Sequence, residues 1–320
     1  MQYKYIFGPI LSRRLGISLG VDLVPHKTCS LDCVYCECGK TTDLTCEQKE
    51  YVSFNDVKKE LDHFWIHNDN PDYITFSGSG EPTLNNKLGK IIEYIKKNEP
   101  SIKTAVLTNS TLFHDPAVRE ALLKADLVIP SLDAVSRKAF IKINRPDKEL
   151  DINGIINGIV SFAKEYRGKL WLEVLILPGF NDSESDLSLL KEAIKRINPD
   201  LIQINTLDRP GTISDIEPAS KIELERVRKT LGFDNIEIIA KTDENIKVKS
   251  EIHEKDIKAA IIKTINRRPC TKQDLLQVLG VETKTLEKYI NILEKEKIIL
   301  GKPRERGMFY QTIKDRVCNP

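Results

Sequence analysis

Val21-Asp-Leu-Val-Pro-His-Lys-Thr-Cys29-Ser-Leu-Asp-Cys33-Val-Tyr-Cys36 is the stretch on which the fold and chemistry of this chain turn. An apolar run, Ser18–Val24, leads into a C-x3-C-x2-C triplet. In parallel α/β folds the loop at the C-terminal end of a strand is where sites are built. Three thiolates on one such loop can bind three irons of a four-iron cluster. The fourth iron then keeps an open position for a ligand, as a catalytic metal does. A zinc site or unliganded thiols are the alternatives.

The rest of the 320 residues fits an α/β frame. Six further runs read as strands: Tyr73–Ser77, Thr104–Thr108, Leu127–Pro130, Leu170–Leu177, Leu201–Asn205 and Ile236–Ile239. They are rich in Val, Ile and Leu without strict alternation, as strands covered on both faces are. Between them lie helical patterns with start signals: Ser53-x-x-Asp56, Asp115-Pro116, Ser183-x-x-Asp186 and Ser220-x-x-Glu223. Asn198-Pro199 and Leu231-Gly232 read as stops. A β-α unit repeated about six times predicts a parallel sheet with right-handed crossovers, open or closed into a barrel.

Hydrophobic residues make up 40% and charged residues 30%, which excludes disorder, collagen-like repeats and a disulfide miniprotein. The longest apolar runs fall far short of the ~20 residues of a membrane span. The N-terminus lacks the apolar core of a signal peptide, so the expected compartment is the cytosol, with no membrane partner. There, clustered cysteines point to metal or catalysis rather than disulfides.

Charge divides the chain. Residues 255–320 hold 15 Lys/Arg against 8 Asp/Glu, a net of +7; residues 1–254 hold 34 against 39, a net of −5. The expected domains are 1–250 and 251–320, with a boundary near Lys247–Glu254. The tail reads as helices over Asp256–Asn266, Thr271–Gly280 and Glu282–Lys297, then extended segments Ile298–Leu300 and Met308–Ile313. That is a winged helix-turn-helix outline. Lys284, Lys288, Arg304 and Arg306 are its candidate phosphate contacts. A solvated face, or contact with a protein or peptide, is the alternative.

A second motif, Ser77-Gly78-Ser79-Gly80-Glu81-Pro82, follows the second predicted strand. Two glycines admit close approach to the backbone, and Glu81 can accept hydrogen bonds from an ammonium group. Other strand ends offer Asn109, Ser131, Asp133, Glu173 and Asn205. Asp133 could instead cap a helix over Val135–Ile143, Asn109 could be a turn residue, and Tyr35 could pack under the cysteine loop. Arg13 and Arg14 could clamp an anion or form a salt bridge. His26 and Lys27 could tune a cluster or form the loop's rim. Cys38, Cys46, Cys270 and Cys318 are enough in number for an auxiliary cluster, with isolated thiols the default.

The strand, the Cys29/Cys33/Cys36 triplet with Tyr35 before its third cysteine, and the Gly80-Glu81-Pro82 turn resemble the radical S-adenosylmethionine (SAM) superfamily. Gly8–Gly16, Val21–Cys29 and Thr75–Leu84 further resemble a prokaryotic branch grouped with wyosine (tRNA imidazoguanosine) synthetase. The 28 residues ahead of Cys29 hold no Cys, a departure from the additional cluster-binding segment of those tRNA enzymes. The resemblance implies a partial (β/α)6 TIM-like barrel and a [4Fe–4S] cluster on Cys29, Cys33 and Cys36. It implies SAM bound by Tyr35, Ser77–Pro82, Asn109, Ser131, Asp133 and Glu173. It further implies reductive cleavage of SAM to methionine and a 5′-deoxyadenosyl radical, which abstracts a substrate hydrogen in a dry site. Its electron would come from a reductant such as flavodoxin or ferredoxin, and its substrate could be RNA or tRNA. The competing expectation is an iron–sulfur or SAM sensor that binds DNA or protein through the winged helix.

Overall fold

The computed structural model describes residues 3–12, 14–213, 215–239, 257–304 and 306–313. The chain opens with an antiparallel pair, β1 (Ile6–Ser12) and β2 (Gly16–Val21). After β2 comes the cysteine loop, with a two-residue parallel pair, β3 (Thr28–Cys29) and β4 (Asp43–Leu44). Helices and strands then alternate: α1 (Phe54–His67), β5 (Tyr73–Phe76), α2 (Leu88–Asn98), β6 (Lys103–Thr108), α3 (Pro116–Leu122) and β7 (Leu127–Pro130). Two helices, α4 (Arg137–Asn144) and α5 (Ile152–Glu165), precede β8 (Lys169–Leu175). The body ends with α6 (Glu184–Ile197), β9 (Leu201–Asn205), α7 (Lys221–Leu231) and β10 (Ile236–Ile238). The sheet runs β1-β2-β5-β6-β7-β8-β9-β10, parallel from β2 onward. All seven predicted strands are present. In the main sheet the strand missed is β1, whose Gly8-Pro9 read as loop; the two-residue strands β3 and β4 were missed as well.

Local chemistry sets the helix ends. Ser53 caps α1, Asp115 caps α3 ahead of Pro116, and Ser220 with Glu223 closes a full capping box on α7. Ser183 accepts from Asp186 N at the start of α6. Asn198 (φ 51°) and Gly232 (φ 67°) stop α6 and α7 in the left-handed conformation. The helix expected from Val135 starts at Arg137, because Ser136 is its cap. Asp133 is therefore not a capping residue.

The sheet has two unlike faces. Ile74, Phe76, Val106, Val128, Leu172, Val174, Ile202 and Ile204 join the main core with helix residues such as Leu61, Ile92, Phe113, Ile159, Leu190 and Val227. Burying each such side chain contributes about 1.5–3 kcal/mol. The alternate positions point the other way. They are apolar at one end, where Leu15 packs with Ala105, Leu127 and Ile129 beside Tyr73, Leu107 and Trp171. Elsewhere they are polar: Ser18 and Thr75 share a 2.6 Å hydrogen bond, and Glu173 faces Gln203 in register. The sequence predicted two apolar faces; the inner one is mixed. Arg14, in the β1–β2 turn, donates to Glu173 on β8 and, at 2.9 Å, to Gln203 on β9. In a flat sheet β8 would lie about 19 Å from β2. The sheet is therefore strongly curled, and Arg14 spans its hollow side as a salt bridge. Arg13 lies outside the described residues.

The C-terminal elements are α8 (Ile257–Arg267), β11 (Cys270–Thr271), α9 (Lys272–Leu279), α10 (Thr283–Lys295) and a hairpin of β12 (Ile299–Arg304) with β13 (Gly307–Thr312). They bury a core of their own around Ile261, Leu275, Leu286, Ile290 and Leu293. The expected boundary near Lys247–Glu254 lies outside the described residues. Among those described, no helix is long and apolar enough to cross a membrane.

Candidate functional site

The loops after β2, β5, β6, β7 and β8 meet at one edge of the sheet, and the cysteine loop is held there by backbone bonds. Thr28–Cys29 pairs with Asp43–Leu44; Asp32 N donates to Asn144 O (3.0 Å) and Val34 N to Ile143 O (2.9 Å). Cys29, Cys33 and Cys36 thus hang between β3 and the end of α4. Each sulfur meets at least one nitrogen donor: Asn109 Nδ2 and Leu31 N, both at 3.5 Å from Cys29; Asn144 Nδ2 at 3.4 Å from Cys33; and Lys27 Nζ at 3.0 Å from Cys36.

The thiols are in different electrostatic states. Burial, with the Glu81 charge added, pushes Cys29 up to about 12. Burial and Asp133 push Cys33 well up. A hydrogen bond from the Cys38 thiol, with Lys27 assisting against burial, brings Cys36 down to about 6. The three sulfurs lie close enough to feel one another's charge. Among the described residues, no three His, Cys, Asp or Glu side chains gather about a single ion. Thiolates that each bind a separate iron need not do so. A bound metal deprotonates its thiols, and nitrogen donors on each sulfur are what thiolates take. The donor set suits an iron–sulfur cluster.

The Ser77–Pro82 turn lies against this loop. Lys27 N donates to Ser79 O at 2.7 Å, Ser79 N donates to Asp22 Oδ1 at 3.1 Å, and Glu81 N donates to Thr28 O at 3.1 Å. Gly78 sits at φ 137°, and any Cβ there would collide with the Asp22 carboxylate. A Cβ on Gly80 would run into the Thr28 carbonyl. Pro82 opens a short 3-10 turn. Ser79 is buried, while Gly78 is exposed.

Glu81 departs from the expected role of ammonium acceptor. It is 2% exposed and already accepts from Thr83 N (3.1 Å), Thr83 Oγ1 (2.7 Å), Thr108 Oγ1 (2.6 Å) and Asn109 N (2.7 Å). It braces the strand-end loops of β5 and β6. Burial raises its pKa even so. Asn109 is a turn residue, accepting from the Thr111 N–H two positions on, and also a hub: it donates to Ser30 Oγ at 2.9 Å and reaches Cys29.

Asp133 is likewise saturated from within the chain. It accepts from the Tyr35 hydroxyl, from Asn144 Nδ2 (2.9 Å) and from Leu175 N (3.0 Å), tying the cysteine loop, α4 and β8 together. Tyr35 therefore packs under the loop with its hydroxyl spent on Asp133. Glu173 is paired with Arg14. Ser131 bridges to Glu173 through backbone at the end of β7, half-buried, with its carbonyl accepting from Ser110 Oγ.

Several residues here escaped the sequence reading. Asn144 and Asp22 have no local signature. Arg209, after β9, is 6% exposed and joins Glu37 (3.2 Å) to Asp274 (2.7 Å) and Pro269 O (2.6 Å). Arg267 of α8 pairs with Asp22 and lies over the Phe7 ring. Arg306 pairs with Asp208 and Asp274, and Arg304 with Glu217. The two hairpin arginines expected at phosphates are thus taken up by carboxylates of the body: Arg306 by Asp208, 5% exposed, and Arg304 by Glu217, 77% exposed. Among the spare thiols, Cys38 Sγ lies 3.5 Å from Gly78 O, Cys46 packs half-buried on the main core, and Cys270 is buried in the C-terminal core. Cys318 lies outside the described residues.

Known proteins give the same picture. A UPF0026 protein of Methanocaldococcus jannaschii is 34% identical over 98% of this chain and 99% of its own length. A Brachyspira hyodysenteriae protein named GTPase Obg is 35% identical over 95% of this chain, which spans only 44% of that protein. A protein of Endomicrobium trichonymphae named a probable dual-specificity RNA methyltransferase is 23% identical over 66% of this chain and 61% of its own. A solved radical SAM methyltransferase from Sphaerobacter thermophilus shares the fold, with a TM-score of 0.51 and 16% identity over 69% of this chain and 65% of that one. The Radical SAM superfamily model matches residues 23–190, which hold the cysteine triplet and the glycine turn. This chain belongs to the radical SAM superfamily and is an enzyme of that kind.

Proposed function

We propose that this enzyme reductively cleaves SAM at a [4Fe–4S] cluster held by Cys29, Cys33 and Cys36 and uses the product radical to take a hydrogen from its substrate. The thiol set carries the reading: three cysteines on one strand-end loop, each sulfur within reach of a nitrogen donor, beside a glycine turn with exposed backbone. When bound, the cluster supplies one electron to the sulfonium, which parts into methionine and a 5′-deoxyadenosyl radical.

The chain's own residues do the positioning. Asp22 and Lys27 pin the glycine turn to the cysteine loop, and Glu81 braces it from behind. The Ser77–Gly80 backbone and the Ser131 side chain are then the groups at this edge for the polar ends of SAM. The curled sheet reads as a partial (β/α)6 barrel, and the C-terminal module as a winged helix. Flavodoxin or ferredoxin is the class of electron donor.

RNA is the substrate class we assign, supported by the RNA methyltransferase name of one relative. Lys284 and Lys302 remain exposed for it. The DNA-binding sensor reading is not favoured: a wing needs its arginines outward, and Arg304 and Arg306 are paired with the body.

The test is anaerobic reconstitution followed by SAM and dithionite. The expected product is 5′-deoxyadenosine, and Cys29→Ala, Cys33→Ala and Cys36→Ala should each lose both cluster and product while Cys38→Ala keeps them. Methylthioadenosine alone, or no cleavage with the cluster intact, would overturn the reading.

A further inference from the structure

Lys27 occupies the left-handed region, at φ 61°, where Gly or Asn is the usual choice. Its backbone does the structural work of the loop. Its N–H donates to Ser79 O at 2.7 Å, and its carbonyl accepts from Thr42 N (3.1 Å) and Asp43 N (3.2 Å). Any residue would supply those bonds. The side chain is a separate matter. The residue is 3% exposed, whereas lysine is almost never fully buried unless paired. Among the described residues the amine has no carboxylate partner; it ends 3.0 Å from Cys36 Sγ. The other two sulfurs face only uncharged donors: the Asn109 side chain and the Leu31 N–H on Cys29, and the Asn144 side chain on Cys33.

We propose that Lys27 is a positioning charge that raises the reduction potential of the cluster, with Asn109 and Asn144 acting in the same direction through hydrogen bonds to their sulfurs. The inference rests on the functional reading above, in which these three cysteines hold a four-iron cluster. Fe–S potentials follow net charge, hydrogen bonds to sulfur and solvent exposure. Reduction adds one electron to the centre, so a nearby cation stabilises the reduced form more than the oxidised one. A buried charge does this with little screening by salt. The electron comes from an external one-electron donor, which is oxidised as the cluster is reduced.

Lys27→Met, Lys27→Arg and Asn144→Ala in the full chain test it. Each is reconstituted anaerobically and poised with dithionite and mediators at the wild-type midpoint, and the reduced fraction is read by electron paramagnetic resonance. For Lys27→Met the reduced-to-oxidised ratio should fall about tenfold, equivalent to about 59 mV for a one-electron couple. Lys27→Arg should stay near wild type, and Asn144→Ala should fall by less. The apo-protein melting temperature of Lys27→Met should hold, since the loop bonds are backbone bonds. A Lys27→Met ratio within twofold of wild type, or a rise, overturns the inference. If that variant fails to load, Asn144→Ala decides, and an unshifted ratio there overturns it too. A wild-type protein with no four-iron signal would overturn the functional reading itself, a different outcome from normal loading with unshifted variants.

Discussion

Glu81→Ala separates a brace from a ligand. The carboxylate serves two hydroxyls and two backbone N–H groups, all within the chain. On truncation the Thr83 and Thr108 hydroxyls can rotate to other acceptors, but the Thr83 and Asn109 amides cannot. Two orphaned buried donors at about 1–3 kcal/mol each give about 2–6 kcal/mol. Glu81 is itself desolvated, which raises its pKa and sets part of that gain aside, so about 3 kcal/mol is the working figure. At about 2–4 °C per kcal/mol for domains of this order, the apo-protein should melt roughly 6–12 °C lower. Thermal melts followed by circular dichroism measure this, with SAM binding measured separately on loaded protein at low temperature. A double-mutant cycle with Thr108→Val should return a coupling of about 1.5–3 kcal/mol, that of a hydrogen bond to a charged group. A melting point within about 1 °C of wild type, together with weakened SAM binding, would refute the brace and restore Glu81 as a direct ligand.

Three further outcomes follow from packing and charge. Gly80→Ala places a methyl against the Thr28 carbonyl and Val24 Cγ2 (2.6 Å for the latter), so iron bound per chain after reconstitution should drop sharply. Arg209→Met leaves Glu37 and Asp274 short of their buried partner; at about 3–5 kcal/mol for a broken buried pair, hydrogen exchange should rise at residues 36–38 and 269–274 together. Burial raises the Asp274 carboxyl, but Arg209 and the other donors hold it below its ordinary 3.8. Its stabilising contribution is therefore present above pH 3.8 and lost as pH falls through the lower folded value. Asp274→Asn should flatten the acid dependence of exchange at residues 269–274, and an unchanged profile would count against the pairing.

The strands were legible because parallel β segments are short Val/Ile/Leu runs, and Leu127–Pro130 or Leu201–Asn205 can be little else. Helix starts were legible where a cap is local, as at Ser53 and Ser220. β1 was not, because its Gly8-Pro9 breaks the strand pattern and its pairing with β2 carries a register shift. At the site, the cysteines announced themselves by spacing. The roles of Glu81 and Asp133 did not, since a carboxylate in a sequence does not say whether its lone pairs are already taken. Asn144 is a plain helix residue until the curl of the sheet brings it beside Cys33, and Arg209 is visible only once the tail docks. The tail's +7 suggested an open basic surface, yet Arg267, Arg304 and Arg306 neutralise body carboxylates.

The crossing of Arg14 to Glu173 and Gln203, stacked on the Leu15 cluster, stoppers the base of the curl. The hollow side is thereby spanned at its Arg14 end, and Arg209 and Arg267 fasten the C-terminal module at the opposite, cysteine-loop end.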